Sequence, residues 1–129
     1  MNWKLFFKAA AFWNLSGGLF ALFCKELMSK LFYINNDGAF SSVESSINYY
    51  LLYSFILIMG IGYWLVGNDP GKNKALVIVG IIGKLTAAIT WIIAFFLGHG
   101  TIFLLGGALG DFAWALLFIY FLSKAPKAA

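Results

Sequence analysis

The stretch ALVIVGIIGKLTAAITWIIAFFLGHGTIFLLGGALGDFAWALLFIYFL, residues 75–122, contains two long apolar runs separated only by the short turn GHGT. An α-helix needs roughly 20 apolar residues to cross a bilayer core about 30 Å thick. Each run meets that length, and so short a connection makes the two helices antiparallel neighbours. The stretch therefore predicts a transmembrane hairpin with Lys84 in its first helix and Asp111 in its second.

The rest of the chain has the same character. Hydrophobic residues make up 62% of the 129 residues and charged residues 11%, whereas soluble domains are about half apolar and a quarter charged. The apolar runs lack the alternation of outer-membrane strands. We therefore expect an all-α membrane protein, a four-transmembrane-helix antiparallel bundle that forms a single domain over residues 1–129. Its predicted spans cover about 5–24, 49–66, 75–97 and 102–122.

The first apolar run, residues 5–24, follows lysines as a signal peptide would. Bulky Phe23 precedes Cys24, and no small-residue cleavage site follows closely, so we expect an uncleaved helix. Residues 25–48 are expected to begin as an amphipathic segment and to continue as a loop. The stretch GNDPGKNK, residues 67–74, predicts a tight polar loop because Pro70 and the glycines interrupt a helix.

Lysines indicate the orientation. The formal net charge of +4 includes nine lysines and no arginine, and the lysines are spread along the chain, so no nucleic-acid partner is expected. Cytoplasmic loops carry the excess of positive residues, which predicts cytoplasmic termini and a multi-pass protein of the bacterial inner membrane. Two lysines, Lys25 and Lys30, are predicted at the end of the bundle opposite the termini. The end that carries both termini holds six: Lys4, Lys8, Lys72, Lys74, Lys124 and Lys127.

Three polar residues are predicted at the same depth near the middle of the bilayer: Asn14, Lys84 and Asp111. A single charge at that depth costs roughly 2.5–3.5 kcal/mol unless it is paired, neutralised or hydrated. The simplest interpretation is an internal ion pair that fixes the helix register. The alternatives are a polar pocket for a ligand or a proton, and contact with a partner subunit.

Small residues next to these positions predict close helix packing. The predicted packing glycines are Gly17, Gly18, Gly80, Gly106, Gly107 and Gly110. Trp91 and Trp114 fall on the helix faces of Lys84 and Asp111 and could stack on a planar lipophilic molecule. The candidate cluster, with a ligand-binding or a structural role, therefore consists of Asn14, Lys84, Asp111, Trp91 and Trp114.

Other chemistry finds little support in the sequence. His99 has no second histidine or nearby carboxylate, so no metal site is expected. Serine-nucleophile motifs, phosphate-binding loops and paired catalytic carboxylates are not recognised, and nothing in the sequence argues positively for an enzyme.

The order of several short motifs resembles a known group of proteins. These are Trp13-Asn14 followed by Gly17 and Gly18, then GIGYWLVGNDPGKNKALVIVGIIGK at residues 60–84, and LGDFAWALLF at residues 109–118. Together they resemble the small bacterial four-helix membrane proteins of the DoxX-like or BphX-like type. The resemblance implies a four-helix bundle in the inner membrane and, for DoxX relatives, association with quinone-linked sulfur oxidation or oxidative-stress complexes.

Three functions remain open at this point. The first is a non-catalytic bundle that binds a lipophilic molecule, a quinone or a lipid, around the Lys84 and Asp111 pair. The second is an accessory structural subunit of a larger membrane complex. The third is a small transporter, which would need a homo-oligomer because four spans leave little room for a pathway.

Overall fold

The computed structural model describes residues 1–34 and 42–124, and these residues form α-helices joined by short connections. The helices are α1 (Trp3–Phe23), α2 (Lys25–Phe32), α3 (Val43–Asn68), α4 (Lys74–Phe96) and α5 (Ile102–Lys124). Over the described ranges the only extended pairing is an isolated bridge between Tyr33 and Gly100. The predicted all-helical fold is therefore confirmed.

Helices α1, α3, α4 and α5 are each long and apolar enough to cross a membrane. Three of them match their predicted bounds to within about two residues, as expected when apolar periodicity defines a helix. These helices give the chain the pattern of a multi-pass membrane protein.

Helix α3 differs from the prediction because it begins at Val43 rather than near residue 49. The Ser42 side chain accepts a hydrogen bond from the Ser45 amide at 3.1 Å, and Glu44 lies in the first turn, where a negative charge is favoured. The loop prediction was therefore wrong for residues 43–48, because a capped polar segment extends the helix beyond its apolar part. Residues 35–41 of that predicted loop, and Lys127 of the orientation argument, lie outside the described residues.

Helix α2 forms the amphipathic segment that was expected after the first span. Met28 and Ser29 are buried whereas Glu26 and Lys30 are exposed. Its end is joined to the turn between α4 and α5, where Gly98 adopts a positive φ of 79°. The Thr101 amide donates to the carbonyl of Phe32 at 3.0 Å, the Ile34 amide donates to the carbonyl of His99 at 3.0 Å, and the Thr101 hydroxyl donates to the carbonyl of Leu31.

Removing the Thr101 hydroxyl should loosen this attachment. In Thr101→Val the carbonyl of Leu31 loses its donor, and a hydrogen bond of this kind contributes about 0.5–1.5 kcal/mol. We expect the Ile34 amide to exchange about twofold to tenfold faster in hydrogen–deuterium exchange. Thr86→Val is the control, because Thr86 is exposed and its hydroxyl makes no hydrogen bond with the described residues. Equal acceleration in both variants would contradict a role of Thr101 in holding α2.

The four long helices pack as two pairs, α1 against α3 and α4 against α5, and the pairs contact each other less extensively. Glycines allow the close approach of α1 and α3. A Cβ at Gly18 would lie 2.9 Å from Leu57 Cγ, and one at Gly60 would lie 2.9 Å from the Leu15 side chain. Looser packing between the pairs leaves space near the middle of the helices.

An aromatic cluster fills the end of the molecule formed by the start of α1 and the end of α5. Phe7 packs against Phe118 and Phe121 with ring centroids 5.3 and 4.8 Å apart, and Tyr63 packs against Phe118 at 5.0 Å. A smaller cluster lies at the other end, where the Tyr49 hydroxyl donates to the carbonyl of Ala21 at 2.8 Å. Polar residues and cavities occupy the region between these clusters.

The predicted packing glycines fall into two groups. Gly18, Gly80, Gly107 and Gly110 face side chains of other helices, whereas a Cβ at Gly17 or Gly106 would meet nothing within 4 Å. The packing prediction was therefore wrong for Gly17 and Gly106 within the chain. Glycine spacing reports which residues share a helix face, but it does not report which part of that face meets another helix.

Candidate functional site

Lys84 and Asp111 are in direct contact between α4 and α5. Lys84 Nζ lies 2.6 Å from Asp111 Oδ1, and the two residues are only 3% and 9% exposed. Helical periodicity explains the contact, because Lys84 follows the buried Gly80 by one turn and Asp111 precedes the buried Ala115 by one turn. The short turn at residues 97–101 keeps these two positions level.

Asn14 extends the ion pair to the other helix pair. Lys84 Nζ donates a second hydrogen bond to Asn14 Oδ1 at 3.0 Å, and Asn14 Nδ2 donates to the carbonyl of Ile56 at 3.2 Å. Asn14, Ile56, Lys84 and Asp111 each lie near the middle of their own helix. We call Asn14, Lys84 and Asp111 the polar cluster, and through Ile56 it connects all four long helices at one level.

Tyr63 approaches the polar cluster from α3. Lys84 Nζ lies 5.8 Å from the centre of the Tyr63 ring, a distance that allows a cation–π interaction. The tyrosine reaches α4 because Gly80 carries no side chain there; a Cβ at Gly80 would be 2.7 Å from the ring. Lys84 thus has a carboxylate, an amide oxygen and an aromatic ring around its charge.

A cavity of about 300 Å³ lies on the α3 and α4 side of the polar cluster, and we call it the α3–α4 cavity. Most of its wall is apolar, with polar atoms only at a few positions. Its polar and aromatic lining comes from Asn14, Phe55, Tyr63, Lys84, Thr86, Thr90, Trp91 and Asp111.

A second cavity of about 200 Å³ lies beneath α2, and we call it the α2 cavity. Four residues line both cavities and form the wall between them: Asn14, Ile56, Trp91 and Asp111. Lys84 lines the α3–α4 cavity but is not among the residues that line the α2 cavity. The remaining lining of the α2 cavity comes from Trp13, Ser16, Gly17, Met28, Phe32, Tyr53 and Gly107.

The two tryptophans of the candidate cluster have different surroundings. Trp91 lines both cavities, but Trp114 lines neither of them. Trp114 instead packs against Phe6, with ring centroids 5.4 Å apart, and against Phe118 at 6.1 Å. Its placement in the site was wrong, because one turn beyond Asp111 the helix face already belongs to the aromatic cluster.

Several residues that line the cavities are absent from the predicted site. Phe32 and Met28 belong to α2, and nothing in the local sequence indicated that this segment would fold over the long helices. Tyr53 and Tyr63 were not among the candidate site residues, yet each is 1% exposed and lines one of the cavities. Their spacing places both on the same face of α3 as the buried Gly60, and this pattern in the sequence indicates that they are buried.

The site offers hydrogen bonding and charge but little support for metal chemistry. Within residues 1–34 and 42–124, no group of three or more histidine, cysteine or acidic residues is arranged to hold a metal ion. His99 is exposed in the turn between α4 and α5. No family model, curated protein or solved structure matches this chain.

Proposed function

We propose that this protein is a non-catalytic membrane protein that binds a lipophilic molecule, a quinone or a lipid, in the α3–α4 cavity beside the polar cluster. One observation carries the proposal: a largely apolar cavity contains a few convergent polar groups, including a buried lysine. This combination is typical of small-molecule sites, and ionisable groups at membrane depth often mark binding sites.

The polar groups suit a ligand that accepts hydrogen bonds. Two of the three Lys84 ammonium protons are directed to Asn14 and Asp111, which leaves one for a ligand. Thr86 and Thr90 add hydroxyls at exposed positions of the same cavity. A volume of about 300 Å³ is at the lower end for ligand pockets, so the head group enters and an attached chain remains between the helices and the lipid.

We further propose that the four long helices form an antiparallel bundle in the bacterial inner membrane, with both termini in the cytoplasm. The excess of lysines at the ends of α1 and α5 and in the connection between α3 and α4 supports this orientation. Contacts of Phe7 with Phe118 and Phe121, and of Phe118 with Tyr63, support the antiparallel order. The similarity to the DoxX-like and BphX-like proteins remains part of this proposal.

Filling the α3–α4 cavity should weaken ligand binding. Gly83 lines the cavity, and a Cβ there would meet only Phe55 at an ordinary 3.9 Å, so Gly83→Leu has room to project into the space. The protein in lipid nanodiscs is titrated with a decyl-substituted benzoquinone while tryptophan fluorescence quenching is recorded. We expect Gly83→Leu to weaken binding by a factor of about ten or more, equivalent to at least about 1.4 kcal/mol.

Gly62→Leu is the matched control. A Cβ at Gly62 meets nothing within 4 Å, and Gly62 lines neither cavity, so this variant should bind as the wild type does. Native mass spectrometry of the same variants separates the two ligand classes, because a lipid that copurifies with wild type and Gly62→Leu should be lost from Gly83→Leu. If both variants retain the same ligands, or if the wild type binds none, the proposal fails and copurification with a larger complex becomes the next experiment.

A further inference from the structure

The two cavities differ in the charge that they face. Lys84 Nζ is bonded to Asp111 Oδ1 and lines only the α3–α4 cavity, whereas Asp111 lines both cavities. Over residues 1–34 and 42–124, Asp111 Oδ2 accepts no hydrogen bond. Among the described residues, the α2 cavity therefore has an acidic but no basic residue in its lining, whereas the α3–α4 cavity has both.

The lining of the α2 cavity is strongly aromatic. Trp13 and Phe32 contribute from α1 and α2, and Tyr53 and Trp91 contribute from α3 and α4. Trp13 lies against α5, because a Cβ at Gly110 would be only 2.7 Å from the indole ring. Among the described residues that line this cavity there is no lysine or arginine. Aromatic rings attract cations through their electron-rich faces, and tryptophan does so most strongly.

Size and hydration restrict the kind of cation. A volume of about 200 Å³ holds a small head group rather than a whole amphiphile. A primary ammonium is a compact and strongly hydrated charge, so its transfer into an apolar site is costly. A quaternary ammonium spreads its charge over alkyl groups and is the ligand that aromatic cages recognise best.

We propose that the α2 cavity is a second binding site, for the quaternary ammonium head group of a lipophilic cation. The aromatic side chains of Trp13, Phe32, Tyr53 and Trp91 surround the head group, and the Asp111 carboxylate supplies the opposite charge. The hydrocarbon part of the ligand leaves the cavity toward the lipid. This site is distinct from the α3–α4 cavity and does not require a ligand there.

Two glycines provide a direct test of the location. Gly17 lines the α2 cavity and Gly106 lines neither cavity, and a Cβ at either position meets nothing within 4 Å. Gly17→Leu should block the site and Gly106→Leu should not. The protein in phosphatidylglycerol nanodiscs is titrated with hexyltrimethylammonium, and binding is measured by the change in tryptophan fluorescence. We expect at least about a tenfold loss of affinity in Gly17→Leu and wild-type affinity in Gly106→Leu.

A second comparison tests the chemistry of recognition. Trp13 and Trp64 are both 46% exposed, but only Trp13 lines the α2 cavity. Trp13→Leu should weaken hexyltrimethylammonium binding by about fivefold to tenfold, and Trp64→Leu should leave it unchanged. The hydrocarbon of the same shape, in which carbon replaces nitrogen, should bind more weakly than the cation to the wild type. Matching thermal unfolding midpoints show that all variants are folded.

The source of the ammonium is distinguished by the lipid composition. If a choline lipid head group occupies the site, phosphatidylcholine in the nanodisc will weaken binding of the probe; if the ligand is a free cation, it will not. Gly83→Leu, which blocks the α3–α4 cavity, should leave ammonium binding intact, so this proposal and the preceding one fail separately. Equal binding of the cation and the hydrocarbon, or equal losses in Gly17→Leu and Gly106→Leu, would overturn the second site.

Discussion

Lys84→Met is expected to destabilise the folded protein by about 3–5 kcal/mol, because it leaves the Asp111 carboxylate buried without its cation. Asp111→Leu should have an effect of similar size, since among the described residues it leaves the Lys84 ammonium with Asn14 and the Tyr63 ring. The double variant should cost less than the sum of the two single variants, because it removes both charges together. Reversible unfolding in one detergent or lipid system gives the coupling free energy.

An exposed ion pair in the same chain serves as the control for this cycle. Lys72 Nζ lies 3.5 Å from Asp69 Oδ2 in the connection between α3 and α4, with side chains 85% and 48% exposed. Exposed pairs contribute about 0–1 kcal/mol, so Lys72→Met should have a small effect and little coupling to Asp69. Simple additivity at Lys84 and Asp111 would contradict the buried contact between them.

Because of Asn14, Lys84→Met should lose more unfolding free energy than the loss of the contact between Lys84 and Asp111 alone would cause. Asn14 Oδ1 accepts a hydrogen bond from Lys84, and Asn14 Nδ2 donates one to the carbonyl of Ile56, so Asn14 links the ion pair to α1 and α3. When the ammonium is removed, Asn14 Oδ1 loses its donor in a buried position, which costs further free energy. The effect should therefore extend to the contact between the two helix pairs.

Gly18→Leu is the second substitution with a large expected effect. A Cβ at Gly18 would lie 2.9 Å from Leu57 Cγ and 3.3 Å from both the Leu57 amide nitrogen and the Tyr53 carbonyl oxygen. Two of these atoms belong to the backbone of α3 and cannot rotate away, so α1 and α3 must separate. Overpacking of this kind typically costs about 1–3 kcal/mol. We expect a corresponding drop in the unfolding free energy.

Gly17→Leu is the control. A Cβ at Gly17 meets nothing within 4 Å, and the substitution changes the helix propensity by the same amount as Gly18→Leu does. It should be as stable as the wild type or slightly more stable. Equal destabilisation by both variants would mean that α1 does not pack on α3 through Gly18. The comparison also supports the use of Gly17→Leu as a blocking variant for the α2 cavity.

Together these variants distinguish a role of the site in ligand binding from the contribution of the polar cluster to the free energy of unfolding. A buried ion pair is weak evidence for stability by itself, because desolvation offsets much of the attraction between the charges. Gly83→Leu and Gly17→Leu change the cavities without touching the ion pair, whereas Lys84→Met changes the pair directly. Loss of ligand binding in the glycine variants at wild-type stability would assign the cavities a role in binding.

The sequence by itself determined most of the helices and the position of the polar residues along them. Apolar runs of membrane length predicted α1, α4 and α5 closely, because the requirement to satisfy every backbone group in an apolar medium leaves helix as the natural state of such runs. The short turn between α4 and α5 then placed Lys84 and Asp111 at one level. Chain length and helical period thus predicted this pairing, and the structure brings the two side chains into contact.

Only the tertiary structure decided which surfaces meet and where space remains. The capped polar start of α3, the folding of α2 onto the turn at residues 97–101, and the burial of Tyr53 and Tyr63 depend on contacts between segments distant in sequence. The same holds for Trp114, which belongs to the aromatic cluster, and for Gly17 and Gly106, which face open space. Hydropathy measures how each residue partitions between water and an apolar phase, and in a membrane helix it does not distinguish lipid from protein. Packing between the helix pairs makes that distinction, and it places a cavity on each side of the polar cluster.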